Sequence, residues 1–459
     1  MNNSKYISYF ILYLQKTKWL IFNGSKFNII TTIGDAVQAK PDENDTISLG
    51  KIIVNDGDFN IHSKGDGFQA KNNIEIRKGN FNIKTENGYN STTFVKYTGS
   101  SKGFKICNNE NNCQIKIYDG NFFLNTPDDS FHSDGNLTVI NGNYTIYSGD
   151  DAFHASFHLM IGKRESSEGP NITIYNSFEA IEGAYIRIYS GNINSVSLDD
   201  GINAVIKNKS LTQFQNEFSY IPFLQNREYP YDENNITPKN FISIYGGNLN
   251  LFSKGNGLNS KGNIFIHGGN INIFSDSLKK KSIKHLGNFT LFSSTIVCLE
   301  SESSNQIHEE ILKGNQFYAF YNKSIESKKI LKIKNEINSV IKELTIGNNI
   351  NYIFFSSLDL NEKYSFYLTD KNGYNEEKYD FIIKRLNDGE DDQDIFPDDD
   401  GNDEDEPGDK GKNKKKKLAG WAISLIVIVS LIIFLFLVLL LYIIIKHNCV
   451  QKNNYFFNS

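Results

Sequence analysis

Apolar and polar residues alternate in short runs through the first two thirds of the chain. The triplets "IEI" at 74, "IKI" at 115, "LTV" at 137, "ITI" at 172, "IRI" at 186 and "IFI" at 264 each put neighbouring side chains on opposite faces of a strand. A turn, usually Gly-Asn, follows them. A second short run comes after the turn: "FNI" at 81, "FFL" at 122, "YTI" at 144 and "INI" at 271. A third phrase precedes the triplets and reads small, apolar, variable polar, small. It appears as "AVQA" at 36, "GFQA" at 67, "SFHS" at 130, "AFHA" at 152, "AIEG" at 180, "GINA" at 201 and "GLNS" at 257, with a degraded "GFKI" at 103.

The step from Phe131 to Phe153 is 22 residues and that from Ile181 to Ile202 is 21. Three short strands and three turns need about this length to complete one coil of a parallel β-helix. A leucine-rich repeat has a similar period but needs an Asn-Leu signature and helical segments, which are absent here. A propeller blade needs about twice the period. The pattern therefore predicts an all-β solenoid. Alternation then assigns faces. Val37, Phe68, Phe131, Phe153, Ile181, Ile202 and Leu258 are expected to form an interior ladder. Their neighbours Gln38, Gln69, His132, His154, Glu182, Asn203 and Asn259 are expected to form an outward column.

That placement changes how the acidic pairs read. Asp128-Asp129 and Asp150-Asp151 fall one coil apart, so four carboxylates meet at the spacing of neighbouring strands, about 4.8 Å. Such crowding costs on the order of a few kcal/mol unless a cation neutralises it. No Lys or Arg is expected at the equivalent positions. A hard cation with oxygen ligands, calcium, is one solution, and Asp199-Asp200 before "GINA" would make another such site. Capping of turn amides by the same side chains is the other reading, and the two are compatible. A catalytic pair is disfavoured because the motif repeats, whereas an active site needs to occur once. His132 and His154 stack in the outward column, where they would contact sugar or each other. Zinc lacks a third His or a Cys at ligand spacing.

Composition adds the setting. The formal net charge is −5, which gives no reason to expect a nucleic-acid partner, and 35 Gly against 8 Pro suit many tight turns. Cys107 and Cys113 bracket "NNENN" and are a candidate disulfide in an oxidising compartment; Cys298 is expected to be buried alone, and Cys449 follows an apolar run. The uncharged run from Leu418 to Ile445 exceeds the ~20 residues that cross a bilayer and predicts a single transmembrane helix. Before it, 387–417 is an acidic and then basic linker. The Lys-rich end, "KGKNKKKK", opposes an external β-helix under the positive-inside rule, although large domains translocate regardless of local charge when an upstream signal targets them. Sequons begin at Asn136, Asn143 and Asn171. The organisation expected is an atypical N-terminus (1–33), the β-helix (34–297) with an aromatic-rich insert (205–240), a small β module (298–386), the linker, the span (418–445) and a short tail (446–459).

The phrases "PDDSFHSDGNLTVINGNYTIYSGDDAFHAS" and "NSFEAIEGAYIRIYSGNINSVSLDDGINA" together resemble the carbohydrate-binding parallel β-helix family typified by a clostridial surface protein that binds cellulose and polygalacturonate. The order of phrases matches from about residue 34 to 277, and "YIFFSSLDLNEKYSFYLTDKNG" resembles the family's small C-terminal module. The resemblance implies a right-handed, pectate-lyase-like β-helix that binds calcium and plant cell-wall polysaccharide without demonstrated catalysis. It also implies a longer N-terminal region with a secretion signal ahead of Met1. The functional expectation is a calcium-stabilised polysaccharide-binding protein of the plasma membrane, single-pass, with the β-helix outside. Its metal residues would be Asp128, Asp129, Asp150, Asp151, Asp199 and Asp200. Its sugar contacts would be His132, His154, Glu182 and Asn203. A polysaccharide lyase, with Arg164 or Arg187 as the base, and an adhesion protein without a glycan ligand are the alternatives.

Overall fold

In the computed structural model the described residues lie within 19–386, without 41–49, 90–96, 98, 107–112, 207–239, 277–279, 302–311 and single positions or short gaps at 315, 322–323, 328, 347, 358–359, 361–363, 371, 373 and 380. Every regular element among them is a β-strand, and no helix there is long and apolar enough to cross a membrane. The strands stack in three parallel ladders. The first holds the small–apolar–polar–small phrases. Phe68 pairs with Phe104, Phe104 with Phe131, Phe131 with Phe153, Phe153 with Ile181, Ile181 with Ile202 and Ile202 with Leu258. The second ladder aligns strands such as Asn73–Ile76, Gln114–Ile117 and Asn136–Val139. The third aligns Asn80–Thr85, Asn121–Thr126 and Asn143–Ser148, and continues to Asn270–Ser275. This arrangement is a parallel β-solenoid. Among the described residues the first stacked strand is Trp19–Ile30, which pairs in parallel with Lys51–Ser63.

All seven residues expected inside are buried, and Phe104 joins them from the degraded phrase. Phe68, Phe104, Phe131 and Phe153 stack face to face at 5.0, 5.0 and 5.1 Å. Beside them the third ladder sends in Phe27, Phe59, Phe81, Phe122 and Tyr144, stacked at 4.8, 5.0, 4.8 and 4.7 Å. The two columns meet edge to face, for example Phe122 on Phe131 at 5.8 Å and 68°. Offset stacking within a column and edge contact between columns both suit the ring quadrupoles.

The Gly-Asn corner has two jobs. Gly142 has φ 113°, and a Cβ there would lie 2.7 Å from the Gly120 carbonyl oxygen of the coil below, so only glycine fits. The asparagine after it enters an amide ladder. Asn121 donates to Asn80 at 2.8 Å, Asn143 to Asn121 at 2.9 Å, Asn171 to Asn143 at 3.2 Å and Asn192 to Asn171 at 2.8 Å. The Nδ2 atoms of Asn143 and Asn171, the acceptors of two sequons, are thus engaged as donors. Asn143→Ala removes a donor and an acceptor from the middle of this row. We expect it to cost about 1 kcal/mol per lost bond, read as a lower urea midpoint with an unchanged slope.

The solenoid ends by changing strand direction. Tyr352–Ser357 pairs antiparallel with Thr295–Glu300, the last described strand of the third ladder, and Phe317–Tyr321 and Ile382–Arg385 continue that sheet. A separate four-stranded antiparallel sheet runs in the order Val340–Ile346, Lys329–Lys334, Ser365–Asp370, Glu377–Tyr379. A second apolar cluster that includes Leu331, Ile353, Phe355 and Phe366 lies under these strands. They cover the open edge that a bare solenoid would present. Cys298 is buried, as expected. Cys113 is also buried; its expected partner Cys107 lies outside the described residues, as do most of the insert and the span from Leu418 to Ile445.

Candidate functional site

Two polar columns flank each apolar residue of the first ladder. One lies two positions before it and contains Asp35, Asp66, Lys102, Asp129, Asp151, Glu179, Asp200 and Asn256. The other lies one position after it and contains the expected outward column, with Lys105 added. Residues three apart across a corner face one another, which is how Asp129 meets His132 and Asp151 meets His154.

The first job of the leading column is capping, performed between coils. Asp66 N–H donates to Asp35 Oδ1 at 2.7 Å, Lys102 N–H to Asp66 Oδ1 at 2.8 Å, Asp151 N–H to Asp129 Oδ1 at 2.9 Å and Asn256 N–H to Asp200 Oδ1 at 2.7 Å. Asp35, Asp66, Asp129 and Asp200 therefore each satisfy an amide of the next coil, which accounts for short polar side chains at these positions.

The second feature is a cation that the sequence reading did not place. Lys102 occupies the leading column one coil before Asp129, and its Nζ lies 2.7 Å from Asp128 Oδ1 and 2.8 Å from Asp129 Oδ2. The expectation that no Lys or Arg stands beside these acids is thereby corrected. Burial by itself lowers the pKa of Lys102, but Asp129 and Asp128 outweigh it and hold the ammonium above its ordinary value. Burial likewise raises that of Asp129. The His132 hydrogen bond and charge, Lys102 and His154 overcome it and keep the carboxyl well below the ordinary range. His132 Nδ1 is 2.6 Å from Asp129 Oδ2, and its ring stacks on His154 at 4.6 Å.

One coil further the balance reverses. His154 Nδ1 lies 3.0 Å from both Asp151 Oδ2 and Glu182 Oε1, and Asn203 Nδ2 donates to Glu179 Oε1 at 2.8 Å and Glu182 Oε2 at 3.2 Å. Two carboxyls thus share one histidine, and the Asn203 amide ties a third, Glu179, to Glu182. Burial, then Asp129 and Glu182, push Asp151 up to about 7 against the hydrogen bond from His154. Burial, then its neighbours Glu182 and Asp151, push Glu179 up to about 10. Burial lowers His154, but its bonds to Asp151 and Glu182 raise it to about 10. Oδ1 of Asp151 and Oε2 of Glu179 are buried and no hydrogen-bond donor reaches them among the described residues. Glu182 and Asn203, expected to face a sugar, are only 2 % and 7 % exposed. Of the four residues expected to contact sugar, only His132 and His154 are partly exposed, with side chains 16 % and 12 % exposed.

These groups offer three arrangements to a metal ion, each with ligand atoms within 4.8 Å of one another: Asp128 with Asp129 and Asp150; Asp129 with His132 and His154; and Asp151 with His154 and Glu182. In the first, Asp128 and Asp129 already hold the Lys102 ammonium. At the other expected pair, Asp199 is 3.2 Å from Lys280 Nζ, while both oxygens of Asp200 accept from Asn256 and Asn259 amides. Asp151 and Glu182 belong to the third arrangement, and Asp151 and neighbouring Glu179 each carry a buried oxygen that no donor reaches among the described residues, the type of ligand a hard cation takes. Lys102 and Glu179 escaped the sequence reading because "SKGFKI" and "FEAIEG" depart from the Asp-Asp spelling. Their shared offset from the buried apolar residue was the available signal.

Neither arginine considered as a base takes part in this column. Arg187 faces Phe241 at 4.7 Å and lies 3.3 Å from His158 Nδ1; Arg164 is exposed in a turn. Burial and then Arg187 lower His158 to about 3, so this imidazole is neutral.

Residues 14–152 match the model of a family described as a carbohydrate-binding domain-containing protein. The matched segment includes Asp128, Asp129, His132, Asp150 and Asp151. No curated protein and no solved structure matches the chain.

Proposed function

We propose that this chain is a surface-displayed polysaccharide-binding protein that holds its ligand without cleaving it. It would be anchored by the 418–445 span, with a right-handed β-helix outside the cell and calcium bound at the column of carboxylates. The observation that carries this reading is the in-register parallel stack, whose outer faces repeat one side-chain pattern at the spacing of successive coils. A polymer repeats its own units and can match such a face along its length. The family match over residues 14–152 supports the same ligand class. His132 and His154 are the accessible ones of the expected sugar contacts for cellulose or a pectin-type polymer. Retention of the intact ectodomain on insoluble cellulose or pectin, with no ultraviolet-absorbing unsaturated product from polygalacturonate, tests this reading. Product formation makes it a lyase, and no retention with or without calcium favours adhesion by another ligand.

Calcium is assigned here to Asp151, Glu179 and Glu182. Its pH dependence follows from the raised groups. A group whose folded pKa lies above its unfolded value gives stability that is full below the unfolded value and is lost as pH rises through the folded one. Asp151 (to about 7), Glu179 (to about 10) and His154 (to about 10) all have this sign. In EDTA the Tm should therefore fall as pH rises from about 5 to about 9. Calcium replaces protons on the same oxygens, so it should bind more tightly at the alkaline end and restore the lost Tm there. A Tm that is flat in EDTA across this interval, or a calcium effect largest at low pH, refutes the assignment.

A further inference from the structure

On its outer face the third ladder carries two rows that neither the capping column nor the acid cluster uses. One is an amide row: Asn250 Nδ2 donates to Asn194 at 2.8 Å and Asn272 Nδ2 donates to Asn250 at 2.7 Å. The other is apolar and aromatic. Val196 pairs in register with Phe252 and Phe252 with Phe274, the two rings stacked at 4.9 Å. Tyr175, 54 % exposed, stands at the open end and stacks on Tyr147 at 5.0 Å and 9°. Leu344 and Thr345 of the terminal four-stranded sheet wall the other end, enclosing a groove of about 400 Å³.

We infer that this groove is a glycan subsite selective for neutral polysaccharide over uronate polymers, an inference that rests on the glycan-binding reading above. Three properties point to that occupant. The described lining carries no Asp, Glu, Lys, Arg or His side chain, so it offers a polyanion nothing in exchange for its hydration. It pairs flat apolar surface with amides in adjacent rows, which is the chemistry of a pyranose: C–H faces edged by hydroxyls. The amide row also has a direction. Each Nδ2 donates back to the preceding coil, and the coil after Asn272 has Val297 in register. Asn272 Oδ1 is consequently buried and meets no donor among the described residues. Asn272 lines the groove, and rotation of its amide brings that acceptor to a sugar hydroxyl lying there. An exposed aromatic at the mouth then extends the platform beyond the enclosed part.

The test compares cello-oligosaccharide and oligogalacturonate binding by calorimetry for the whole ectodomain, Tyr175→Ala and Asn272→Leu. Tyr175 is exposed, so its variant should keep the wild-type Tm. Both substitutions are expected to weaken cello-oligosaccharide binding roughly tenfold and to leave oligogalacturonate binding unchanged. Wild-type affinity for the neutral sugar with no loss in Tyr175→Ala overturns the groove while leaving the glycan-binding reading intact. Equal losses on both sugars overturn its selectivity. Binding of neither sugar by the wild type overturns both inferences.

Discussion

Asp129→Ala is expected to destabilise the solenoid by about 3–5 kcal/mol, the cost of removing one partner from a buried ion pair. Asp129 has more to lose than a surface carboxylate. Its Oδ2 holds Lys102 Nζ at 2.8 Å and His132 Nδ1 at 2.6 Å, and its Oδ1 accepts the Asp151 amide at 2.9 Å. Alanine leaves a buried ammonium with Asp128 alone, a histidine without its carboxylate and an amide without its acceptor. The ion pair also couples the two sites. Lys102→Met together with Asp129→Ala should be less damaging than the sum of the two, because the second change removes the charge that the first abandons. The sign with pH is also fixed. The carboxyl is held below its ordinary value, so its contribution is present above about pH 4 and disappears as pH falls through the folded value. Urea unfolding of the four proteins of the cycle measures both effects. A loss below about 1 kcal/mol, or strict additivity, would show that the Lys102 contact contributes little.

The solenoid was legible because its period is written in residues that cannot be exchanged freely. Phe131 and Phe153 mark one coil, and Gly142-Asn143 marks a corner where a Cβ would strike the coil below. Alternation then correctly buried every apolar member of the first ladder. It misjudged the side chains next to them. A period of two states which face a residue leaves by, and says nothing of what stacks over it. Glu182 and Asn203 leave by the outer face and are closed over by each other and by Glu179. Lys102 was missed for a related reason. Its coil spells the corner "SKGF" where the next spells "PDDSF", and a cation opposite an acidic pair across coils leaves no mark within either phrase. The groove on the third ladder was hidden too, since Leu344 and Tyr175 are far apart in sequence and only the terminal sheet brings them to one cavity.

The acid cluster and the aromatic columns answer the same problem differently. A stack of identical corners places like groups beside like groups at about 4.8 Å. For phenyl rings that spacing is close to ideal contact, so repetition strengthens the interior. For carboxylates it is repulsive, and successive coils relieve it with an ammonium at Asp128 and Asp129, then with a histidine and raised pKa values at Asp151 and Glu179. The point where relief is least complete, with oxygens that no donor reaches, is where a further cation has most to gain.

Phe131→Ala tests the interior column. Its ring is fully buried, with Phe104 and Phe153 above and below at 5.0 and 5.1 Å and Phe122 and Tyr144 edge-on at 5.8 and 6.1 Å. Truncation removes contacts on both faces and one edge. The space left cannot close, because the backbone on either side is tied into the ladder: Phe104 N–H donates to Ser130 O at 2.9 Å and Phe131 N–H to Ala152 O at 3.1 Å. A cost of about 3–5 kcal/mol follows, toward the upper end of that range because relaxation is blocked. Phe131→Leu, which refills most of the volume, should recover more than half of it. The solenoid adds a spatial prediction. Coils contact only their neighbours, so the damage should be greatest at the interfaces that Phe131 spans and fade along the stack. Hydrogen exchange should accelerate in Phe104–Ile106 and Phe153–Ile161 well before it does in Asn248–Ser253 and Asn270–Ser275. Uniform acceleration across all four strands would mean that the coils unfold as one cooperative unit and that the column does not transmit stability coil by coil.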